Sequence, residues 1–180
     1  MSVAEIREAV ASGDVSGGQA EKMVTGVARD NRDIVPGDLF VCIPGERVDG
    51  HDFAMAAVQA GAAAVLARRE LPEVPPSVPV LRVDDTVKAL GRLAAAWRMR
   101  TRAKVVGITG TAGKTTVKEV LAQVLSVQGP TERTAKNHNN QIGLPLSILN
   151  AAEDAAFWSW KRASVMLRIW RNWRPFCVPI

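Results

Sequence analysis

The run KVVGITGTAGKTT at positions 104–116 limits what this chain can fold into more than any other part of it. Residues 104–108 read as a short buried strand, 109–113 as a tight glycine turn, and Lys114 onward as the first turn of a helix. Gly110 and Gly113 accept backbone angles that a side chain forbids, so successive N–H groups can converge on one anion. The helix that follows points the positive end of its dipole at the same place. Lys114 adds a full charge for β- and γ-phosphates, and the Thr115 hydroxyl is a ligand for Mg²⁺. The general pattern G-x-x-x-x-G-K-[ST] wants glycine where Ile108 stands, so the first glycine of this loop is Gly110. A glycine turn with an incidental lysine is the plain alternative, but strand, turn, G-K-T-T and helix follow one another in the order that phosphate binding requires. Such a loop says that a nucleotide binds and leaves the reaction open.

A chain of 180 residues holds one ordinary domain or two small ones. An apolar content of 47% and a mean hydropathy of +0.03 fit a globular protein. The start, MSVAEIREAV, has acids where a signal peptide would have a basic stretch, and the apolar run at 54–67 is broken by Gln59 and Gly61, which argues against a membrane span. Cys42 and Cys177 form no metal or disulfide pattern, so a reducing cytoplasm is expected. The net charge of +5 would raise nucleic acid or membrane as partners, but its distribution removes that argument. Lys161, Arg162, Arg168, Arg171 and Arg174 follow residue 157, whereas all 18 acids lie at or before Asp154; residues 1–157 therefore carry 18 bases against 18 acids.

Taken in order, residues 3–11 predict a short helix and 12–18 a Gly/Ser loop. Strands are expected at 24–28, 39–43, 62–67 and 78–83, with a helix from Asp52 to about Ala60. The segment GERVDGHDF at 45–53 is polar and punctuated by glycine, hence a surface loop of the kind that carries binding groups. The four prolines of LPEVPPSVP make a rim loop. This alternation describes a small α/β domain over 1–83. Asp84 and Asp85 then cap a connecting helix over 84–100, with Trp97 as a packing residue. A partial nucleotide domain of parallel-sheet type follows over 101–157. In its first helix Val117, Val120, Leu121, Val124 and Leu125 predict a continuous buried face.

Three motifs carry a resemblance to a known family: RDNRDIVPGDLFVCIPGERVDGHDF at 29–53, ITGTAGKTTVKEVL at 108–121 and KNHNNQIGLPLSIL at 136–149. Together they resemble the Mur ligases of peptidoglycan synthesis, and within them the MurF type, over residues 20–157. The second motif is shared across that family and accounts for the missing glycine at 108. The resemblance implies a cytoplasmic, monomeric ligase with a part in cell shape and division, which uses ATP and Mg²⁺ and has neither nucleic acid nor membrane as partner. Its small-molecule substrates would be UDP-N-acetylmuramoyl-tripeptide and D-alanyl-D-alanine. ATP activates the terminal carboxylate of the tripeptide as an acyl phosphate, and the dipeptide amine attacks it.

By the same resemblance Gly110, Thr111, Ala112, Gly113, Lys114, Thr115 and Thr116 bind ATP, with Lys114 catalytic on the phosphates and Thr115 on the metal. Asn31 and Arg32 stand where the family has Ser or Thr followed by Arg, near the UDP group, and Arg32 suits a pyrophosphate. Glu46, Arg47, Asp49, Gly50 and His51 face the same nucleotide, with Val48 where an aromatic residue is common. Asn137, Asn139 and Asn140 resemble the segment lining the muramoyl substrate. Each has a plainer alternative: the asparagines cap and turn, Asp30 and Arg32 form a surface ion pair, and His51 and His138 are too isolated to ligate a metal.

The chain also departs from the family. Three domains of about 100–150 residues each would need roughly 300–450 residues, so an acidic Mg²⁺ ligand, a modified lysine and a third domain are expected to be missing and the chain inactive by itself. The stretch WSWKRASVMLRIWRNWRPFCVPI at 158–180 holds four of the five Trp and no acid, and reads as outside the family. As a hypothesis, one base lost at the Trp158 codon explains it: restoring a G turns W-S-W-K-R into W-V-L-E-A-G. Resequencing the gene decides this, since an intact frame through Trp158 removes the idea. Two rival readings remain. A nucleotide kinase would need an arginine lid and a second acidic strand, and neither is evident; a Trp/Arg tail would contact membrane or RNA.

Overall fold

The computed structural model describes residues 1–11, 14–45, 48–108, 112–133 and 140–161, and the chain divides into two compact units between Leu93 and Ala94. In the first unit, α1 (Val3–Val10) starts from a capping box in which the Ser2 hydroxyl accepts the Glu5 N–H and the Glu5 carboxylate accepts the Ser2 N–H. Five strands follow: β1 (Asp14–Ser16), β2 (Val27–Ala28), β3 (Leu39–Val41), β4 (Ala64–Ala67) and β5 (Val80–Arg82). The helix α2 (Ala54–Gln59) lies between β3 and β4 in sequence. Sheet order is β1-β5-β4-β3-β2; the last four are mutually parallel and β1 runs antiparallel on β5.

Every residue of β3 and β4 is buried, as central parallel strands covered on both faces require. Alternation sends Phe40, Cys42, Val65, Ala67 and Val80 into one core with Ala54 and Ala57 of α2. Burial and the nearby Asp49 carboxylate push the Cys42 thiol up to about 12, so it behaves as a small apolar side chain.

Several sequence expectations shift here. The Gly/Ser loop at 12–18 contains β1, tied down by the Arg82 guanidinium, which pairs with Asp14 and also with Glu70 at 2.9 Å. The strand expected at 24–28 keeps only Val27–Ala28. The helix expected from Asp52 starts instead at Ala54, after a 3₁₀ turn, Gly50–Phe53, whose cap is Asp49. Asp85 is the cap of α3 (Thr86–Arg100): its carboxylate accepts the Val87 and Lys88 N–H groups, each at 3.0 Å.

In the second unit β6 (Lys104–Ile108), α4 (Lys114–Ser126), β7 (Thr131–Arg133), α5 (Gly143–Leu149) and β8 (Phe157–Lys161) form a three-stranded sheet of order β6-β8-β7, parallel throughout. The central strand is thus made of residues the sequence reading set outside the family. Trp158 and Ser159 have no exposed surface. Ser159 faces α4, its hydroxyl donating to the Lys118 carbonyl at 3.3 Å, while the Trp158 and Trp160 rings share the opposite face with centroids 5.2 Å apart.

The buried face predicted for α4 is corrected in part. Leu121 and Leu125 are half-buried, but Val117, Val120 and Val124 are 52%, 53% and 61% exposed, and the buried residues of the helix are Lys118 and Ala122, one turn apart. Lys118 is buried because its ammonium reaches the Glu119 carboxylate at 3.0 Å, which Arg133 also meets at 2.7 Å. Apolar residues cover two adjacent faces of this helix, and periodicity does not say which one the sheet takes. Val124→Lys is therefore expected to change stability by no more than about 0.5 kcal/mol. Urea unfolding followed by circular dichroism checks this; a loss above about 2 kcal/mol would restore the sequence reading.

Candidate functional site

Because β2 to β5 run parallel, whatever follows each strand collects at one edge of the sheet. The 3₁₀ turn Asn31–Asp33 follows β2, the segment through Phe53 follows β3, Arg68 and Arg69 follow β4, and Asp84 and Asp85 follow β5. In open α/β sheets ligands bind at this carboxyl edge. The sequence reading named Asn31, Arg32, Asp49, Gly50 and His51 for a nucleotide, and all five stand there; Glu46 and Arg47 lie outside the described residues. Arg68 and Arg69 were read only as the charged end of the apolar run and not assigned to a ligand, although two arginines directly after a buried strand are a readable signal. A cleft of about 540 Å³ opens elsewhere in this unit, beside Val3, Arg7, Glu8, Gly17 and Gly18, and none of the named residues lines it.

The plainer alternative for Arg32 is what the structure shows. Its guanidinium grips Asp30 through Nε to Oδ1 at 2.9 Å and Nη2 to Oδ2 at 2.6 Å, yet the side chain stays 82% exposed. An anion with a planar pair of oxygens would find the fork already formed and would need it to turn from Asp30. His51 differs from its neighbours in being buried, with both ring nitrogens engaged inside the protein. Its ring offers no free atom to a ligand.

Three carboxylates of this unit are held below their ordinary range by the N–H groups they accept: Asp30 by Arg32, Asp49 by His51 and Asp85 by Lys88. A depressed folded-state value means that the stabilisation is complete above the unfolded carboxylate range, near pH 4, and fades as pH falls through the folded values. The melting temperature of the full chain is expected to be flat between pH 7 and 5 and to drop below pH 4. Asp85→Asn should lower the plateau and shallow that drop, as scanning calorimetry would read.

In the second unit β6 leads through the turn into α4, as the glycine–lysine spacing requires; Gly110 and Thr111 lie outside the described residues. Gly113 has φ +74°, a left-handed conformation, and a Cβ added there would meet nothing within 4 Å among the described residues. The N-cap of α4 is Gly113, which has no side chain to offer the first turn. Lys114 begins the helix half-buried, and Ala112, Thr115 and Thr116 are exposed. Among the described residues no cluster of three or more His, Cys, Asp or Glu is arranged for a metal. Asn140 is a cap: its Oδ1 accepts the Gly143 N–H at 2.6 Å and the Ile142 N–H at 3.2 Å, opening α5. Asn137 and Asn139 lie outside the described residues, as do residues 162–180.

The second unit is a parallel sheet whose first strand is followed by a helix that opens on glycine and lysine, and comparison with known proteins narrows the class. Residues 23–98 match the model for "Mur ligase family, catalytic domain" and 108–159 that for "Mur ligase middle domain". The chain belongs to the Mur ligase family. Within it, the likeness is to the MurF type. The chain is 44% identical over 140 residues to the UDP-N-acetylmuramoyl-tripeptide–D-alanyl-D-alanine ligase of Escherichia coli, covering 78% of this chain and 30% of that one. The Bacillus subtilis enzyme of the same name is 42% identical over 134 residues, covering 74% and 29%. The crystal structure of MurF from Thermotoga maritima in complex with ADP aligns at a TM-score of 0.68 and 32% identity, over 79% of this chain and 33% of that one. The chain thus spans about 30% of the length of the curated relatives it matches. Among the described residues no helix is long and apolar enough to cross a membrane.

Proposed function

We propose that this chain supplies the sugar-nucleotide-binding and phosphate-loop parts of an ATP-dependent ligase joining D-alanyl-D-alanine to UDP-N-acetylmuramoyl-tripeptide. The observation that carries the reading is the match of residues 108–159 to the family's middle domain, with Gly113 left-handed directly before Lys114 at the start of α4. Residues 1–83 take the UDP group, 84–100 connect, and 101–157 begin the ATP-binding domain. In the reaction the tripeptide carboxylate attacks the γ-phosphorus and ADP leaves; the dipeptide amine then attacks the acyl carbon, phosphate leaves, and the amine loses a proton.

Bringing two anions together is the difficulty, and Lys114 with the α4 amides offsets their repulsion. Bound Mg²⁺ supplies further positive charge at the phosphates, held by Thr115. Arg32 turns from Asp30 to the UDP pyrophosphate, and Asp49 and Gly50 flank the uridine. Asn140, besides opening α5, borders the muramoyl group together with Asn137 and Asn139. The same reading makes the protein a cytoplasmic monomer serving cell-wall synthesis, and so cell shape and division.

Calorimetric titration of the full chain tests this. Separate saturable binding of MgATP and of UDP-N-acetylmuramoyl-tripeptide is expected. Binding of neither, by a chain that circular dichroism shows to be folded, would reject the reading.

A further inference from the structure

The turn that closes on Asp49 contains one inward-facing polar side chain. His51 is 3% exposed; its Nε2 accepts the Arg68 backbone N–H at 2.9 Å, and its Nδ1 lies 2.5 Å from Asp49 Oδ1. A backbone amide can only donate, so Nε2 must keep its lone pair. The ring is therefore neutral, and its proton sits on Nδ1, aimed at the carboxylate. The same Oδ1 accepts the His51 backbone N–H at 3.0 Å, so two donors from one residue fix the carboxylate.

Gly50 is held close to the end of the β3 segment. Gly50 N–H donates to the Ile43 carbonyl at 3.1 Å, Pro44 and Asp49 form a β-bridge, and a Cβ at Gly50 would lie 2.7 Å from the Ile43 nitrogen. On the far side Arg68 directly follows β4, a strand buried along its whole length. The imidazole thus spans from a rigid strand end to an otherwise half-exposed carboxylate.

We propose that His51 is a positioning residue: as the neutral Nδ1–H imidazole it bridges the Arg68 amide to Asp49, and so orients that carboxylate toward a donor group of the uridine moiety. The bridge stands on geometry alone, whereas the identity of the ligand rests on the sugar-nucleotide reading. An ionised carboxylate is an acceptor only, so what it recognises is a ribose hydroxyl or the imide N–H of uracil, not the phosphates. Phosphate recognition is left to cations at the same edge.

Two measurements on the full chain decide it. Long-range ¹H–¹⁵N spectra, with the His51 signals identified by their loss in His51→Asn, are expected to show the neutral Nδ1–H form at pH 7. An Nε2–H form or a cation would overturn the bridge. UDP, titrated calorimetrically, is expected to bind about tenfold more weakly to His51→Ala and to Asp49→Asn. His51→Asn keeps a donor where Nδ1 stood and should stay within about threefold of the parent. Should the alanine variant not fold, the spectrum and the two asparagine variants carry the test. Parent-like UDP affinity in Asp49→Asn, or a folded His51→Asn as weak as Asp49→Asn, overturns this inference alone. A parent chain that binds no UDP overturns the ligand assignment here together with the sugar-nucleotide reading, and the spectrum still judges the bridge.

Discussion

Trp158→Ala is expected to destabilise the second unit by about 3–5 kcal/mol, the range for removing a large aromatic side chain from a packed interior. Trp158 has no exposed surface and sits on β8, the strand hydrogen-bonded on both sides, to β6 and to β7. Its ring packs on Trp160, and the Arg98 guanidinium lies 5.6 Å from its centroid. That arginine is anchored by the carbonyls of Thr101 and Ala103, each at 3.0 Å, so it cannot simply follow a shrinking side chain. Trp158→Phe should behave quite differently. The indole N–H is buried with no hydrogen-bond partner among the described residues, so phenylalanine removes an unsatisfied donor along with some volume. Its cost is expected below about 1.5 kcal/mol. Urea unfolding followed by circular dichroism separates the two, and equal losses would show that the ring's fit is not what holds this strand. Since β6 delivers the phosphate turn and leans on β8 along its whole length, the alanine variant should also lose MgATP affinity.

The strand that this prediction concerns was the least legible part of the sequence. W-S-W-K has no acid and precedes a basic, Trp-rich run, so composition set it apart; what makes it a strand is pairing with Lys104–Ile108, some fifty residues earlier, and local pattern cannot report that. The same holds for β1, whose glycine-flanked D-V-S becomes a strand only because β5 and Arg82 receive it. His51 was misleading for the opposite reason. It lies in a polar, glycine-punctuated string that looks like solvent-facing loop, and only the Arg68 amide explains its burial. The order β6 then α4, by contrast, is written in adjacent residues, a left-handed glycine and a lysine at the helix start being local signals, although β6, read as buried, is buried only at Ile108. The central strands of the first sheet were legible for a related reason, since A-A-A-V-L-A and L-F-V are apolar throughout, as strands buried on both faces must be.

Lys114→Met should weaken MgATP binding by the full chain roughly ten- to hundredfold, the equivalent of about 1.5–3 kcal/mol for hydrogen bonds to a charged group. Lys114 is the first residue of α4, directly after Gly113, its left-handed N-cap. Phosphates seated there would take the helix amides as donors, and the ammonium would supply the one full charge. Methionine keeps length and helix propensity, so the fold should hold. Lys104→Met is the matching control. It removes the same charge from the other end of β6, about 13 Å along the strand, beyond the range over which salt leaves exposed charges coupled. Its affinity should stay within about twofold. Gly113→Ala is the third arm, because alanine at φ +74° adds roughly 1–2 kcal/mol of strain without touching any charge. A tenfold loss there with the circular dichroism spectrum unchanged would assign the binding to backbone geometry as much as to the lysine. Equal affinities for the parent, Lys114→Met and Lys104→Met would mean that ATP does not sit on this turn at all.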